Sequence, residues 1–420
     1  MRKNSVVKET KDFYYASIDE ISDLIQQRRI SSLEIVELCL KRIEELNPTI
    51  NAFITIAANE AREQAKIADA EIEAGKWRGP LHGVPIAIKD FYDTAGIKTT
   101  AAFEQFKDRI PDKDALGVAK LKEAGAILLS KTNMHQLGMG TTGLDSYFGP
   151  VQNPWNAEYI PGGSSSGSAA AVASGMCFGT LDTDAIGSCR LPAACCGVVA
   201  FKGTYGLISP QGILEGEEPP DEFIIWMNHS GITTRNVEDT AIILQVLAER
   251  DKSKTEDYVA ALTRARKLRI GVANNFHADQ EVSIAFEKAI EIIRGLQYSM
   301  SSVAVPFVDP SGGIRDIEAD RKAIANQSFK DVDVLLLPTT TTTVPKVKDA
   351  GSNPQGLSPE NTAFANYYGL PAISVPCGFD MRGLPLGLQI VGKPWDETTV
   401  LYVAYQFQKA TEFGMKHPIP

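Results

Sequence analysis

Residues 83–96 read GVPIAIKDFYDTAG, an uninterrupted run from Val84 to Ile88 that ends in a charge at Lys89. A short apolar run set between Gly83 and charged residues is the pattern of a strand buried on both faces. Downstream, ALGVAKLKEA (115–124) has helical spacing and AILLSKTN (126–133) is again strand-like. Strand, helix and strand in alternation predict an α/β domain with a buried, mixed sheet. Upstream, Ser17-Ile-Asp-Glu20 and Ser31-Ser-Leu-Glu34 are capping boxes, in which each Ser and Glu satisfy the other's orphan backbone donor. They open two helices across 17–47, the second expected to stop at Pro48, and a third follows over about 57–75. Farther on, strands are expected at 267–274, from Asp331 into a Thr-rich loop, at 371–379 and at 384–392. Helices are expected near 280–294 and from about 397. Neither a repeat nor a linker divides the chain. The expectation is an N-terminal tail over 1–16 and a single large domain over 17–420, a central mixed β-sheet covered by helices.

Composition narrows the function. The 420 residues carry 42 Lys plus Arg against 52 Asp plus Glu, a net charge of −10, with 44% hydrophobic residues. That much apolar surface offsets the ordering entropy and excludes a largely disordered chain. An acidic chain lacks the cationic surplus that binding nucleic acid needs. Six cysteines without regular spacing form no disulfide framework, and Cys195 and Cys196 are adjacent. The N-terminus has no apolar h-region, and the longest apolar runs fall short of a membrane span. A soluble, cytoplasmic monomer or homodimer is expected, with neither nucleic acid nor membrane as partner.

The chemistry concentrates in PGGSSSGSAAAVASG (161–175) and LDTDAIGSCR (181–190). A phosphate-binding loop is excluded, since no Lys-Ser/Thr closes the glycines and GxGxxG is absent. Composition alone leaves open a tight loop over a closely packed small-residue helix. The functional reading starts from Gly162, Gly163, Gly167 and Gly187, which allow a backbone that points N–H groups into a cavity. Ser188 at the end of such a segment has what an acyl-transfer nucleophile needs, donors placed where the oxyanion forms. A serine also needs a base. His82, His135, His229, His277 and His417 lie in no Ser-His-Asp motif. A lysine desolvated enough to be neutral is the other base used for serine, and Lys89 at the end of its apolar run fits.

Together these segments resemble the amidase signature family. GPLHGVPIAIKD (79–90), the two central segments above continued to Gly206, DVLLLPTT (333–340) and the pair GLPAISVPCGF and LPLGLQIVG (369–392) carry the resemblance from about residue 17 to 410. It implies a Ser–cis-Ser–Lys triad of Ser188, Ser164 and Lys89, with a non-proline cis peptide before Ser164. It also implies an oxyanion hole of the backbone N–H groups of Ala185, Ile186, Gly187 and Ser188. Asp184 and Arg190 would hold that loop, and Gly140, Thr141, Gly163 and Cys189 would lie at the substrate. No metal or organic cofactor is implied. The reaction is expected to be hydrolysis of amide bonds in small molecules, extending to esters and carbamates. The alternatives are one component of a glutamine-dependent amidotransferase complex and a catalytically silent member of the fold.

The chain departs from the family pattern in places. Ser166 and Ile186 stand where glycines are usual. Leu191 replaces the Gln typical of the corresponding amidotransferase component, which counts against that alternative. Segment 207–232, with Glu215, Glu217, Glu218, Asp221 and Glu222, is read as a lid over the pocket or a solvated loop. The stretch from Val305 to Arg321 is short around Gly312-Gly313, which predicts either an open site mouth or a segment absent from this sequence.

Overall fold

The computed structural model describes residues 10–218, 221–249, 256–307, 316–351 and 353–418. Among the described residues there are eleven strands, β1 (Phe53–Ile56), β2 (Pro85–Lys89), β3 (Ile127–Thr132), β4 (Gly179–Asp184), β5 (Val199–Lys202), β6 (His229–Thr234), β7 (Arg269–Ala273), β8 (Ser299–Val303), β9 (Val334–Pro338), β10 (Ala372–Phe379) and β11 (Pro385–Gly392). They form one mixed sheet in the order β1-β3-β2-β4-β6-β5-β10-β11-β9-β7-β8, flanked by helices. β2 runs parallel to both β3 and β4, whereas β6 is antiparallel to β4 and β5. Every residue of β2, β3, β4, β5 and β6 is buried. A strand inside such a sheet delivers its last side chain into the protein rather than to solvent.

Both capping boxes form, Ser17 with Glu20 and Ser31 with Glu34. Pro48 does not end its helix, which runs Ser32–Ile50 and stops at Asn51 in the left-handed conformation. In the last turn a missing proline N–H forfeits a single hydrogen bond, and the Asn51 N–H still reaches the Asn47 carbonyl. Within the stretch read as a tail, Thr10–Tyr15 is a 3-10 turn, and buried Tyr14 lies 4.6 Å from the Arg42 guanidinium. Residues 1–9 lie outside the described residues.

The described part of segment 207–232 is anchored to the body of the protein, while Glu215, Glu218, Asp221 and Glu222 are exposed on it. Leu207 and Ile208 are buried, Ile213 bridges to Tyr92, and Glu217 pairs with Arg109 at 2.8 Å. Its end, from His229, enters β6, an interior strand between β4 and β5. The short stretch around Gly312-Gly313 lies outside the described residues. No helix among the described residues is long and apolar enough to cross a membrane.

Candidate active site

Lys89 closes β2, and nothing of it is exposed. Its Nζ donates to Ser164 Oγ and to Thr183 Oγ1, each at 2.8 Å. Burial pushes the ammonium down to about 8, against the opposing charges of Asp182 and Asp184. The base predicted from sequence is therefore dry and bonded to hydroxyls. The Gly163–Ser164 peptide is cis. The Ser164 carbonyl accepts from the His135 N–H at 3.0 Å. Next along, the Ser165 N–H donates to the Ser188 carbonyl at 2.9 Å, and Ser165 Oγ donates to the Thr183 carbonyl at 3.3 Å. Lysine strand, serine loop and nucleophile loop are thus stitched together. Among the described residues no hydrogen bond joins Ser188 Oγ to Ser164 Oγ. Contacts of this kind commonly tighten only when substrate binds.

Asp184 is the hub of the nucleophile loop. Its carboxylate accepts from Arg190 Nε at 3.0 Å and Arg190 Nη2 at 2.9 Å, both groups wholly buried. Burial alone would raise this carboxyl, but the Arg190 charge and hydrogen bonds outweigh it and hold it well below the usual carboxylate range. Asp184 Oδ1 also takes the Gly187 N–H at 2.8 Å. That corrects one expectation: the Gly187 amide is spent on Asp184 and is not free for an oxyanion. The N–H groups of Ala185, Ile186 and Ser188 have no acceptor among the described residues. Gly187 still has a clear role. Its φ is +128°, and a Cβ there would stand 2.4 Å from Thr362 Oγ1.

The four residues expected at the substrate, Gly140, Thr141, Gly163 and Cys189, are all buried. Cys189 is wholly buried with its Sγ 3.1 Å from Asp184 Oδ2, so its thiol faces the hub and not a ligand. Thr141 is wholly buried, its N–H donating to the Pro354 carbonyl at 2.7 Å and its Oγ1 accepting from Leu357 N–H at 3.3 Å. Gly140 packs against the His135 ring, and Gly163 against the backbone of 140–143. These residues support the cis-serine loop from below. Leu191 is core, clustered with Tyr159, Ile160 and Cys195. A side chain so placed says nothing about a partner surface.

Sequence reasoning missed Thr183, Thr362, Asn366 and Gln389. Thr362 Oγ1 donates to the Ile186 carbonyl at 2.5 Å, and its own carbonyl accepts from Arg190 Nη1 at 3.2 Å. Asn366 Nδ2 donates to the Asp184 carbonyl at 2.7 Å, while its Oδ1 accepts from Arg190 at 2.6 Å. Gln389 Oε1 accepts from Arg190 as well. The helix Glu360–Tyr367 and β11 therefore brace the oxyanion loop from the far half of the chain. Thr183 and Gln389 had a signal in the sequence, the first beside Asp184 in the nucleophile segment and the second inside LPLGLQIVG.

The family model for amidases matches residues 34–311 and 314–401. The chain belongs to the amidase signature family. The A-type component of the glutamyl-tRNA(Gln) amidotransferase of Carboxydothermus hydrogenoformans is 34% identical over 490 residues, covering 97% of this chain and 99% of that protein. Among solved structures, a bacterial aryl acylamidase of the amidase signature family is similar with a TM-score of 0.83 and 25% identity, over 96% of this chain and 98% of that one. The peptide amidase of Stenotrophomonas maltophilia gives a TM-score of 0.82 and 25% identity, over 95% of this chain and 98% of that one. The curated relatives therefore support the amidotransferase alternative better than a broad arylamidase or urethanase. Buried Leu191 no longer opposes it.

Proposed function

We propose that this amidase signature enzyme cleaves a carboxamide C–N bond through an acyl-Ser188 intermediate. The observation that carries the reading is the buried Lys89 Nζ held at 2.8 Å from both Ser164 Oγ and Thr183 Oγ1. Neutral Lys89 accepts the Ser164 proton as Ser164 accepts that of Ser188, whose Oγ bonds to the carbonyl carbon. The oxyanion is met by the N–H groups of Ala185, Ile186 and Ser188. As the C–N bond breaks, Ser164 returns a proton to the amine nitrogen and regains one from Lys89. Water then cleaves the acyl-Ser188 ester.

Two readings of the acyl donor each have an observation behind them. The amidotransferase names of the relatives at 32–34% identity support a glutamine carboxamide, with ammonia passed to a partner protein. The oxyanion loop supports a stand-alone amidase for less polar amides. Ala185 and Ile186 pack at the edge of an apolar cluster that holds Phe364, Tyr367 and Met227, with Phe307 beside them. Esters and carbamates rest only on sharing an attackable carbonyl.

The decisive measurement is turnover by the purified chain of glutamine and of an anilide, with a fluorophosphonate to map the nucleophile. Label is expected on Ser188 alone, and Ser188→Ala is expected to lose on the order of 10⁴-fold or more in kcat. Label on another serine would overturn the assignment.

A further inference from the structure

From Leu81 to Thr94 every residue is buried except Phe91. A partly exposed phenylalanine in an otherwise buried run, two residues beyond the base, needs a reason. The chain bends sharply at the end of β2, with the Phe91 and Tyr92 N–H groups both directed to the Lys89 carbonyl, at 2.6 and 3.1 Å. The bend sends Asp90 and Tyr92 inward and leaves Phe91 facing out. Its ring centroid lies 5.6 Å from Lys89 Nζ.

The other wall is the turn Leu137–Met139. Leu137 and Gly138 have φ of +52° and +70°, and the turn is pinned by the Leu137 N–H to the Ala101 carbonyl at 2.9 Å. Because Gly138 has no side chain, the turn comes close. A Cβ there would stand 3.3 Å from the Phe91 ring and 3.7 Å from Ser164 Oγ. Met139, at the end of this turn, is 58% exposed. The Phe91 ring and the turn that ends in exposed Met139 thus approach Ser164, which hands the proton to the departing nitrogen in the mechanism proposed above. The charged groups beside Phe91 along the chain, Lys89 and Asp90, are wholly buried.

We propose that Phe91 and Met139 form an amine-side subsite for an aryl or alkyl substituent on the scissile nitrogen. The substrate class is then the secondary amide with a hydrocarbon amine, such as an anilide, in preference to a primary amide that releases ammonia. This rests on the acyl-Ser188 reading above.

The test compares acetanilide with acetamide, which share one acyl-enzyme and differ only in the amine. In Phe91→Ala the ratio of their kcat/KM values is expected to fall about tenfold or more, mainly through the KM for acetanilide. In Met139→Ala the same ratio should fall about threefold. Phe91→Leu should recover part of the ratio. Equal losses on both amides in Phe91→Ala, with the Met139→Ala ratio unmoved, would overturn the subsite and leave Phe91 as a cover over Lys89. Fluorophosphonate labelling of Ser188 is read in the same samples. Loss of that label in the unsubstituted enzyme would overturn the catalytic reading itself, whereas intact label with unchanged ratios overturns only the subsite.

Discussion

Two lysines stand on neighbouring parallel strands, Lys89 at the end of β2 and Lys131 near the end of β3. The register pairs Ile88 with Lys131 and Lys89 with Thr132, so alternation sends the two side chains to opposite faces of the sheet. Both are buried, and burial pushes both down to about 8. Their partners differ. Lys131 Nζ donates to the Tyr92 carbonyl at 2.6 Å and to Thr99 Oγ1 at 2.7 Å, with the Asp90 carboxylate at 3.7 Å. A carbonyl can only accept, and a carboxylate favours a cation, so this lysine needs its protons. The partners of Lys89 are hydroxyls, which give or take a proton equally well. A lowered pKa therefore does not mark the catalytic lysine here; the ability of its neighbours to donate does.

The widest break in that comparison comes from deleting each amine. Lys89→Ala is expected to lose about 10²–10⁴-fold in kcat, the range for removing a proton acceptor, with the fold retained. Lys131→Met is expected to cost about 3–5 kcal/mol of stability instead, because Asp90 is left buried without its cation. Denaturant unfolding and single-turnover acylation, run on both variants, separate the two outcomes. A Lys131 variant with normal stability, or a Lys89 variant with near-normal acylation, breaks the contrast.

The lysine strand and its turn are legible in the sequence because a buried strand writes itself as an apolar run, as in VPIAIK. The capping boxes at Ser17 and Ser31 are legible for a different reason, since both partners lie within four residues. β4 and β6 are not. Their sequences, GTLDTD and HSGITT, are wholly buried yet polar, because Thr180 and Thr233 spend their hydroxyls on Asp182 at 2.6 and 2.7 Å. Hydropathy cannot register a core that is satisfied by hydrogen bonds, and so His229–Ile232 reads from sequence as the end of a lid or loop. Lys89, Ser164, Ser188, Asp184 and Arg190 are placed by motif. The roles of Thr362, Asn366 and Gln389 are not, because they reach Arg190 from 172 to 199 positions away along the chain. Only the folded topology joins them.

A smaller effect lies in the pH profile. Protonated Lys89 cannot accept from Ser164, so kcat/KM should fall about tenfold per unit as pH drops below about 8, and level off above it. Lys131 titrates in the same range without touching Ser164, so Lys131→Met should leave this acid limb where it is. An acid limb that moves in Lys131→Met would make the two lysines one coupled unit. Initial rates on one substrate between pH 6 and about 9.5, taken under kcat/KM conditions, would decide it.

The finest test removes one hydroxyl from each lysine. Thr183→Val deletes the second hydroxyl on Lys89 Nζ, leaving Ser164 as the bond that orients the amine. Thr183 touches neither the attacked carbonyl nor the nucleophile's Oγ, so it acts by aiming Lys89. Loss of aim should lower kcat about tenfold while KM stays, because the missing interaction serves proton transfer and not binding. Thr99→Val deletes the matching hydroxyl on Lys131. There the amine keeps the Tyr92 carbonyl and the Asp90 charge, and the expected result is about 1 kcal/mol of lost stability with kcat unmoved. Thr183→Ser, which keeps the hydroxyl and drops only a methyl group, should restore most of kcat. If serine fails to rescue, the contribution of Thr183 is packing, and the distinction between a lysine held by hydroxyls for transfer and one held for stability loses its best support.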